Sequence, residues 1–336
     1  VIVRGARLVL LLLVLAACDS VEEPGSRALR ELERMTFVPP ADCILWPDSD
    51  LSLGRAIVFD RFEFTRADLR HYWPERRSRA ETIQWHTEAA LDAPERAEWP
   101  AALDYFEASE LAALRGMRLP TATEWLHVAV GRKDYQKPWG GSGREFFANT
   151  VVIQDGEDFS LKSPCTVGTF ENGKSQPFGC YDLLGNAWEW VDGPIVYGCV
   201  PTREPGADER DELDDLAGTV TCVMGGAYDT RWRSTFEFDR SINQQRFHAR
   251  RQDKRTLGPS FGARMCADAE SYLWAQAPRW GSGAAARARV RGVGRRWAQD
   301  DALARAALRN LLAQLRARTG APEALAWLEE GVLAEP

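Results

Sequence analysis

Apolar residues recur along this chain with a changing period, and each change marks an element. The first feature is an unbroken apolar run from Leu8 to Ala17, too short for the roughly 20 residues that a membrane-crossing helix needs. Met35 to Pro40 then alternates apolar and polar positions as an edge strand does, with proline as its stop. Ala56 to Phe64 has a second strand-like pattern, and from Tyr105 to Leu114 the apolar positions take helical spacing. The next helix carries its own start signal. Thr121 and Glu124 stand at capping-box spacing, Pro120 leads in, and Gly131 offers a left-handed stop, which puts Trp125, Val128 and Ala129 on one buried face. Each of these residues has a complete structural explanation, so they read as architecture rather than catalysis.

Between Gly131 and Pro177 periodicity fades and Gly, Asn, Asp and Ser accumulate, which predicts long ordered loops pinned by disulfides or bound cations. Composition changes again after Ala269. Gly281 to Arg296 is rich in Arg, Ala and Gly and reads as a linker. Ala304, Leu308, Leu311, Leu312 and Leu315 then form an amphipathic helical stripe, broken by Gly320 and Pro322 before Leu325 and Leu328 begin a second short helix. Residues 270–336 are therefore expected to be a linker followed by a helical hairpin that packs on the domain, contacts a partner or approaches anionic lipid.

The start of the chain changes the picture of where it works. Arg4 and Arg7, the apolar run and Leu15-Ala16-Ala17-Cys18 follow one another as the regions of an export signal do. The last four residues resemble the lipobox of bacterial lipoproteins, which implies a lipoprotein signal over residues 1–18 whose Cys18 is lipidated and becomes the mature N-terminus. Residues 19–30 then form a tether, and residues 31–269 a domain large enough to bury its own core. The expected location is the bacterial cell envelope, lipid-anchored on the periplasmic side, with the membrane as one partner. An oxidising compartment makes disulfides the default for Cys43, Cys165, Cys180, Cys199, Cys222 and Cys266. Cys165 with Cys180 and Cys199 with Cys222 are nearest neighbours, and a closed loop of about 15 residues is worth roughly 3 kcal/mol; sequence does not choose among the connectivities. No Cys-x-x-Cys spacing occurs and the four histidines are scattered, which argues against zinc. A net charge of -7 argues against a nucleic-acid partner.

The densest chemistry lies in Gly179-Cys180-Tyr181-Asp182-Leu183-Leu184-Gly185-Asn186-Ala187-Trp188-Glu189-Trp190, preceded by Met117 to Trp125 and followed by Val223-Met224-Gly225-Gly226-Ala227-Tyr228. Together these segments resemble the domain of the formylglycine-generating enzyme family, also called sulfatase-modifying factors. Glu63-Phe64-Thr65-Arg66 takes the place of a family signature that precedes a helix, and Phe261-Gly262-Ala263-Arg264 resembles the family's closing strand, with Ala263 where an aromatic is usual. The resemblance implies an α+β fold, a loop-rich variant of the C-type-lectin-like fold poor in regular secondary structure, here with a C-terminal helical extension.

It also implies metal sites. Asp182, the carbonyls of Gly185 and Ala187, and Glu189 match a family calcium site, and oxygen ligands in flexible geometry suit that cation. A second family site would use Asn149, the carbonyl of Thr150, and Asp158 or Asp155. In the active enzymes a serine follows the paired glycines and two cysteines hold copper for the oxidation of a substrate cysteine. Here those positions carry Ala227, Thr230 and Thr235. Alcohols are poor ligands for Cu(I) and form no mixed disulfide with substrate, so copper is not expected and the site is degenerate. Tyr228, Asp229 and His248 are the remaining catalytic candidates. Arg231, Arg233 and Arg250, with Arg246 and Arg251 nearby, suit an anionic or glycan-like ligand, although a solvated loop of long arginines has the same pattern. The leading expectation is a lipoprotein with a binding or structural module. The alternatives are an oxidoreductase with a diverged site and a scaffold for an envelope complex that uses the C-terminal helices.

Overall fold

The computed structural model describes residues 24–46, 49–74, 94–130, 138–140, 147–151, 153–154, 157–158, 160–176, 178–192, 220–230, 249–298 and 301–334. Helix α1 (Pro24–Glu33) places Ala28, Leu29 and Leu32 in the core, so the stretch read as a tether over 19–30 is helix from Pro24 onward, and it leads into β1 (Met35–Val38), which is buried at every position. Strands β2 (Ala41–Trp46) and β3 (Ser49–Leu53) pair as an antiparallel hairpin with a register shift between Ile44 and Trp46. Strand β4 (Ile57–Asp60) returns beside β1, pairing Met35 with Asp60 and Val38 with Ile57.

Three helices then start on side-chain caps that satisfy otherwise orphaned amides. Thr65 and Asp68 cap α2 (Arg66–Tyr72), and Asp104 and Glu107 cap α3 (Tyr105–Leu114). At α4 (Ala122–Val130) the Glu124 amide donates to Thr121 Oγ1 at 3.2 Å while the Thr121 amide donates to Glu124 Oε2 at 2.8 Å. Trp125, Val128 and Ala129 are fully buried, as their spacing predicts.

The loop region that follows holds a two-residue hairpin, β5 (Ile153–Gln154) with β6 (Glu157–Asp158). The strands that carry the site come next: β7 (Trp188–Trp190), β8 (Val220–Met224), β9 (Ala249–Asp253) and β10 (Phe261–Ala263). They form one sheet in the order β10-β7-β8-β9, parallel between β10 and β7 and antiparallel elsewhere. Strand β11 (Cys266–Asp268) leaves this sheet to complete the other, in the order β1-β4-β11. Mixed helix and short sheet with long connections is the α+β, loop-rich architecture expected from the sequence.

The C-terminal segment differs from its expectation. Helix α5 (Ala269–Gln276) is followed by α6 (Gly283–Ala298), α7 (Ala302–Arg316) and α8 (Glu323–Leu333). The stretch read as a linker is thus a regular helix, and the hairpin is a three-helix unit. Gly294, within that stretch, and Gly331 of α8 serve a crossing. A Cβ on Gly294 would lie 2.2 Å from the Leu328 carbonyl oxygen, and one on Gly331 would lie 2.1 Å from that of Arg291, so α6 and α8 pass backbone to backbone. Leu308, Leu312 and Leu315 of α7 are fully buried, as the amphipathic stripe predicts.

These helices share the domain's core. Trp297 stacks on Phe37 with ring centroids 6.1 Å apart, and its indole N–H donates to the Met35 carbonyl at 2.9 Å. Arg289 forks onto Glu33 with both bonds at 2.7 Å. The exposed side of β1, a liability in any sheet, is covered by α6. A second cluster lies under α4, where Trp125 meets Cys180, Met224 and Cys266. No helix among the described residues is long and apolar enough to cross a membrane.

Candidate functional site

The segment from Asp182 to Trp190 turns sharply before it enters β7. Asp182 and Asn186 adopt left-handed backbone, φ 55 and 61, and Gly185 has φ 83. Gly185 is also required by space: a Cβ there would lie 2.3 Å from the Asn149 carbonyl oxygen and 2.7 Å from Thr150 Cγ2. That close approach lets Asn186 N–H donate to the Asn149 carbonyl at 2.8 Å. On its other side the turn meets the paired glycines, with Gly185 N–H donating to the Gly225 carbonyl at 3.0 Å and Tyr228 N–H to that of Asn186 at 3.2 Å.

Behind this junction lies a buried charge cluster. Arg264, fully buried on the strand segment after β10, donates to Glu189 at 2.7, 3.0 and 3.2 Å, and its remaining N–H groups reach the carbonyls of Asp60 and Tyr181. Trp125 Nε1 donates to Glu189 Oε2 at 2.6 Å. Glu63, equally buried, accepts from Asn186 Nδ2 at 2.6 Å and from the Ala187 amide at 3.0 Å. Burial, then the Asp182 and Glu189 charges, hold the Glu63 carboxyl well above the ordinary range. Burial pushes Asp182 up to about 6, opposed by the Gly168 amide that donates to its Oδ2 at 2.6 Å. The other Asp182 oxygen, Oδ1, is buried without a hydrogen-bond partner, as is Asn149 Oδ1.

The calcium sets expected from the sequence fit this geometry unequally. Asp182 offers an unclaimed buried oxygen, and Gly185 and Ala187 lie in the same turn. Glu189 offers none, because a guanidinium and an indole hold both of its oxygens and a cation beside that guanidinium would be repelled. The full four-ligand set is therefore not assembled. In the second set Asn149 donates to Ser163 O and Asn186 Oδ1, both at 3.0 Å, which draws it and Thr150 toward the Asp182–Glu189 turn. Asp158 instead sits exposed, paired with Lys162 and accepting from the Ser160 amide at 3.0 Å. Asp155 lies outside the described residues.

The turn after β8 is where the copper pair of active enzymes would begin. Ala227 is fully buried. Its amide donates to Thr230 Oγ1 at 2.8 Å, the Thr230 amide donates back to the Ala227 carbonyl at 2.9 Å, and Thr230's own carbonyl receives the Val151 amide at 3.1 Å. The threonine hydroxyl thus closes the turn on itself, and neither an alcohol nor a methyl supplies the soft ligand that Cu(I) needs. Alongside, Ser260 Oγ donates to Asp229 Oδ2 at 2.9 Å, and the half-buried Tyr228 hydroxyl, raised by burial, adjoins both. Thr235, Arg231, Arg233, Arg246, His248 and Cys18 lie outside the described residues. Arg250 is placed only by its backbone, which pairs with Val223 in β9.

Cys165, Cys180 and Cys266 carry free thiols, which overturns the nearest-neighbour pairing of Cys165 with Cys180; Cys222 is disulfide-bonded. Cys165 is held against Asn186 rather than facing another thiol. Burial raises the Cys165 thiol to about 12, that of Cys180 to about 11, and that of Cys266 well above its usual value. Thiols held this way are unreactive near neutral pH. Sequence reasoning placed Glu63 and Arg264 in family-like motifs without a role in the site, and missed Ser260. A lone arginine inside the apolar run Phe261 to Met265 was the available signal for Arg264.

Comparison with known proteins adds three likenesses. Hercynine oxygenase of Mycobacterium tuberculosis is 33% identical over 132 residues, 38% of this chain and 28% of that protein. The inactive C-alpha-formylglycine-generating enzyme 2 of Bos taurus is 33% identical over 151 residues, 40% of this chain and 48% of that protein. The chain thus spans less than half the length of either relative. Among solved structures, that of CarF covers 70% of this chain and 97% of its own, at 15% identity and a TM-score of 0.46. The model of the sulfatase-modifying factor enzyme 1-like domain matches residues 23–269, and with Glu189, Arg264 and the paired glycines in the places just described, the chain belongs to that family.

Proposed function

We propose that this protein is an envelope lipoprotein, lipidated at Cys18, whose sulfatase-modifying factor domain has given up copper-dependent oxidation and works as a binding or structural module on the periplasmic side. The observation that carries this reading is Thr230. Its hydroxyl is committed to the Ala227 amide at 2.8 Å, so the first position of the copper pair has become part of the turn's own hydrogen bonding. The relatives point both ways, one an oxygenase and one inactive, and the hydrogen-bonded turn at Thr230 supports the second for this chain.

Calcium belongs to the proposal at the Asp182 end, where an unpartnered buried oxygen supports an oxygen-seeking cation. A calcium-dependent rise in melting temperature that Asp182→Asn abolishes is the expected result. The ligand is taken to be anionic or glycan-like, through Arg231, Arg233 and Arg250. The test of the whole reading is oxygen uptake by the purified chain with copper and a cysteine-containing peptide. A rate equal to the peptide blank is expected, and peptide-dependent turnover would restore the diverged oxidoreductase.

The scaffold reading meets a constraint from the fold. Helices α6, α7 and α8 bury their apolar faces in the core shared with β1, so only their outer faces are available to a partner.

A further inference from the structure

Among the described residues, the outer face of α6 is strongly basic. The helix carries Arg287, Arg289, Arg291, Arg295 and Arg296 and no acidic residue, in a chain of net charge -7. These arginines divide by direction. Arg289 and Arg296 turn toward α1, forking onto Glu33 and donating to its carbonyl at 2.8 Å. Arg287, Arg291 and Arg295 follow at i, i+4 and i+8 along one exposed stripe flanked by alanines. Glu330 faces the stripe, 2.5 Å from Arg287 and 3.5 Å from Arg291, and the Glu323 charge also acts on Arg287. Surface pairs of this kind are weak and easily exchanged for another anion.

We infer that this stripe is a membrane-apposing face that meets anionic phospholipid headgroups and so fixes the orientation of the domain on the bilayer. The inference rests on the lipoprotein reading, because the lipid would bring the face within range. The five residues between Cys18 and Pro24 reach at most about 20 Å when fully extended. Helix α1, which they enter, packs against α6. Surface charge acts over about 8 Å at physiological salt, and a tether of that reach lets the basic face come close enough to feel it. A protein of negative net charge is otherwise repelled by an anionic leaflet, which leaves the α6 face as the favoured approach. Each arginine near such a surface improves partition by about fivefold.

The test reconstitutes the full lipidated chain in vesicles of phosphatidylglycerol mixed with phosphatidylethanolamine, and in vesicles of phosphatidylcholine. Arginines are then modified with phenylglyoxal and read by mass spectrometry. On anionic vesicles Arg287, Arg291 and Arg295 are expected to react about fivefold more slowly, with protection lost at high salt. Arg55, exposed on another part of the surface and paired with Asp268, serves as the control and should react equally in both. The variant Arg291→Glu with Arg295→Glu, checked by circular dichroism for retained helix, should lose the protection at Arg287. Equal modification on both vesicle types overturns the inference. If intact mass shows no lipid at Cys18, the anchor reading fails separately, and the same footprint with unlipidated chain at excess anionic vesicle still decides the face.

Discussion

The turn from Asp182 to Trp190 and the turn from Gly225 to Thr230 lie against each other, joined by the Gly185 amide on the Gly225 carbonyl and the Tyr228 amide on that of Asn186, yet they differ in what holds their residues in place. In the first, Glu189 is locked by a buried guanidinium and an indole, Gly185 has no room for a Cβ, and Asn186 ties Glu63 to Cys165. Changing any one of these leaves a buried charge or a clash. In the second, a half-exposed alcohol closes a backbone turn, a task that hydroxyls do well. The contrast separates what the fold needs from what a reaction needs: the first turn is frame, and the second holds the positions at which this chain departs from the active enzymes it resembles.

Four substitutions bear on that contrast. Arg264→Met strands the Glu189 carboxylate in the interior and is expected to cost about 3–5 kcal/mol in denaturant unfolding. Adding Glu189→Met to it should recover part of that loss, because removing both charges is cheaper than stranding one. Asp182→Asn should act in the opposite sense. Its carboxyl is held up at about 6, against 3.8 for an ordinary aspartate, so the folded chain binds this proton more tightly than the unfolded one. Stability tied to that proton is present below about pH 4 and is lost as pH rises through about 6. Asp182→Asn should therefore stabilise the calcium-free protein by about 2–3 kcal/mol at pH 7 and flatten the pH dependence between those limits; a variant less stable than wild type at pH 7 would break the account of the cluster. Asparagine also tolerates the left-handed backbone at this position. The smallest effect is at Thr230. Thr230→Val keeps the shape and loses the hydroxyl, and about 1 kcal/mol is expected from thermal melts.

Sequence carried the frame better than the partners inside it. The capping boxes at Thr121 and Glu124, the helix from Tyr105 to Leu114 and the stripe through Leu308 and Leu312 were legible because their signals are local and periodic. The partners of Glu189 were not: Arg264 is 75 positions away and Glu63 contacts Ala187 across 124. No local pattern announces that a motif acid already faces a cation, so Glu189 reads from sequence as a free ligand. The same limit applied to Gly294 and Gly331, where glycine signals breakage locally and only the crossing of α6 and α8 gives it another meaning. The exchange of reactive groups at Ala227 and Thr230 was legible once the paired glycines set the register; that the threonine would cap the alanine amide was not.

The central claim is that the first position of the metal-holding pair, Thr230, is taken up by the turn's own bonding. Titration of the native chain with Cu(I) against a chromophoric chelator tests it most directly. The account predicts that the chelator keeps the copper, with no stoichiometric transfer to the protein and no change on Thr230→Val. Stoichiometric, tight copper retention that Thr230→Val abolishes would contradict it.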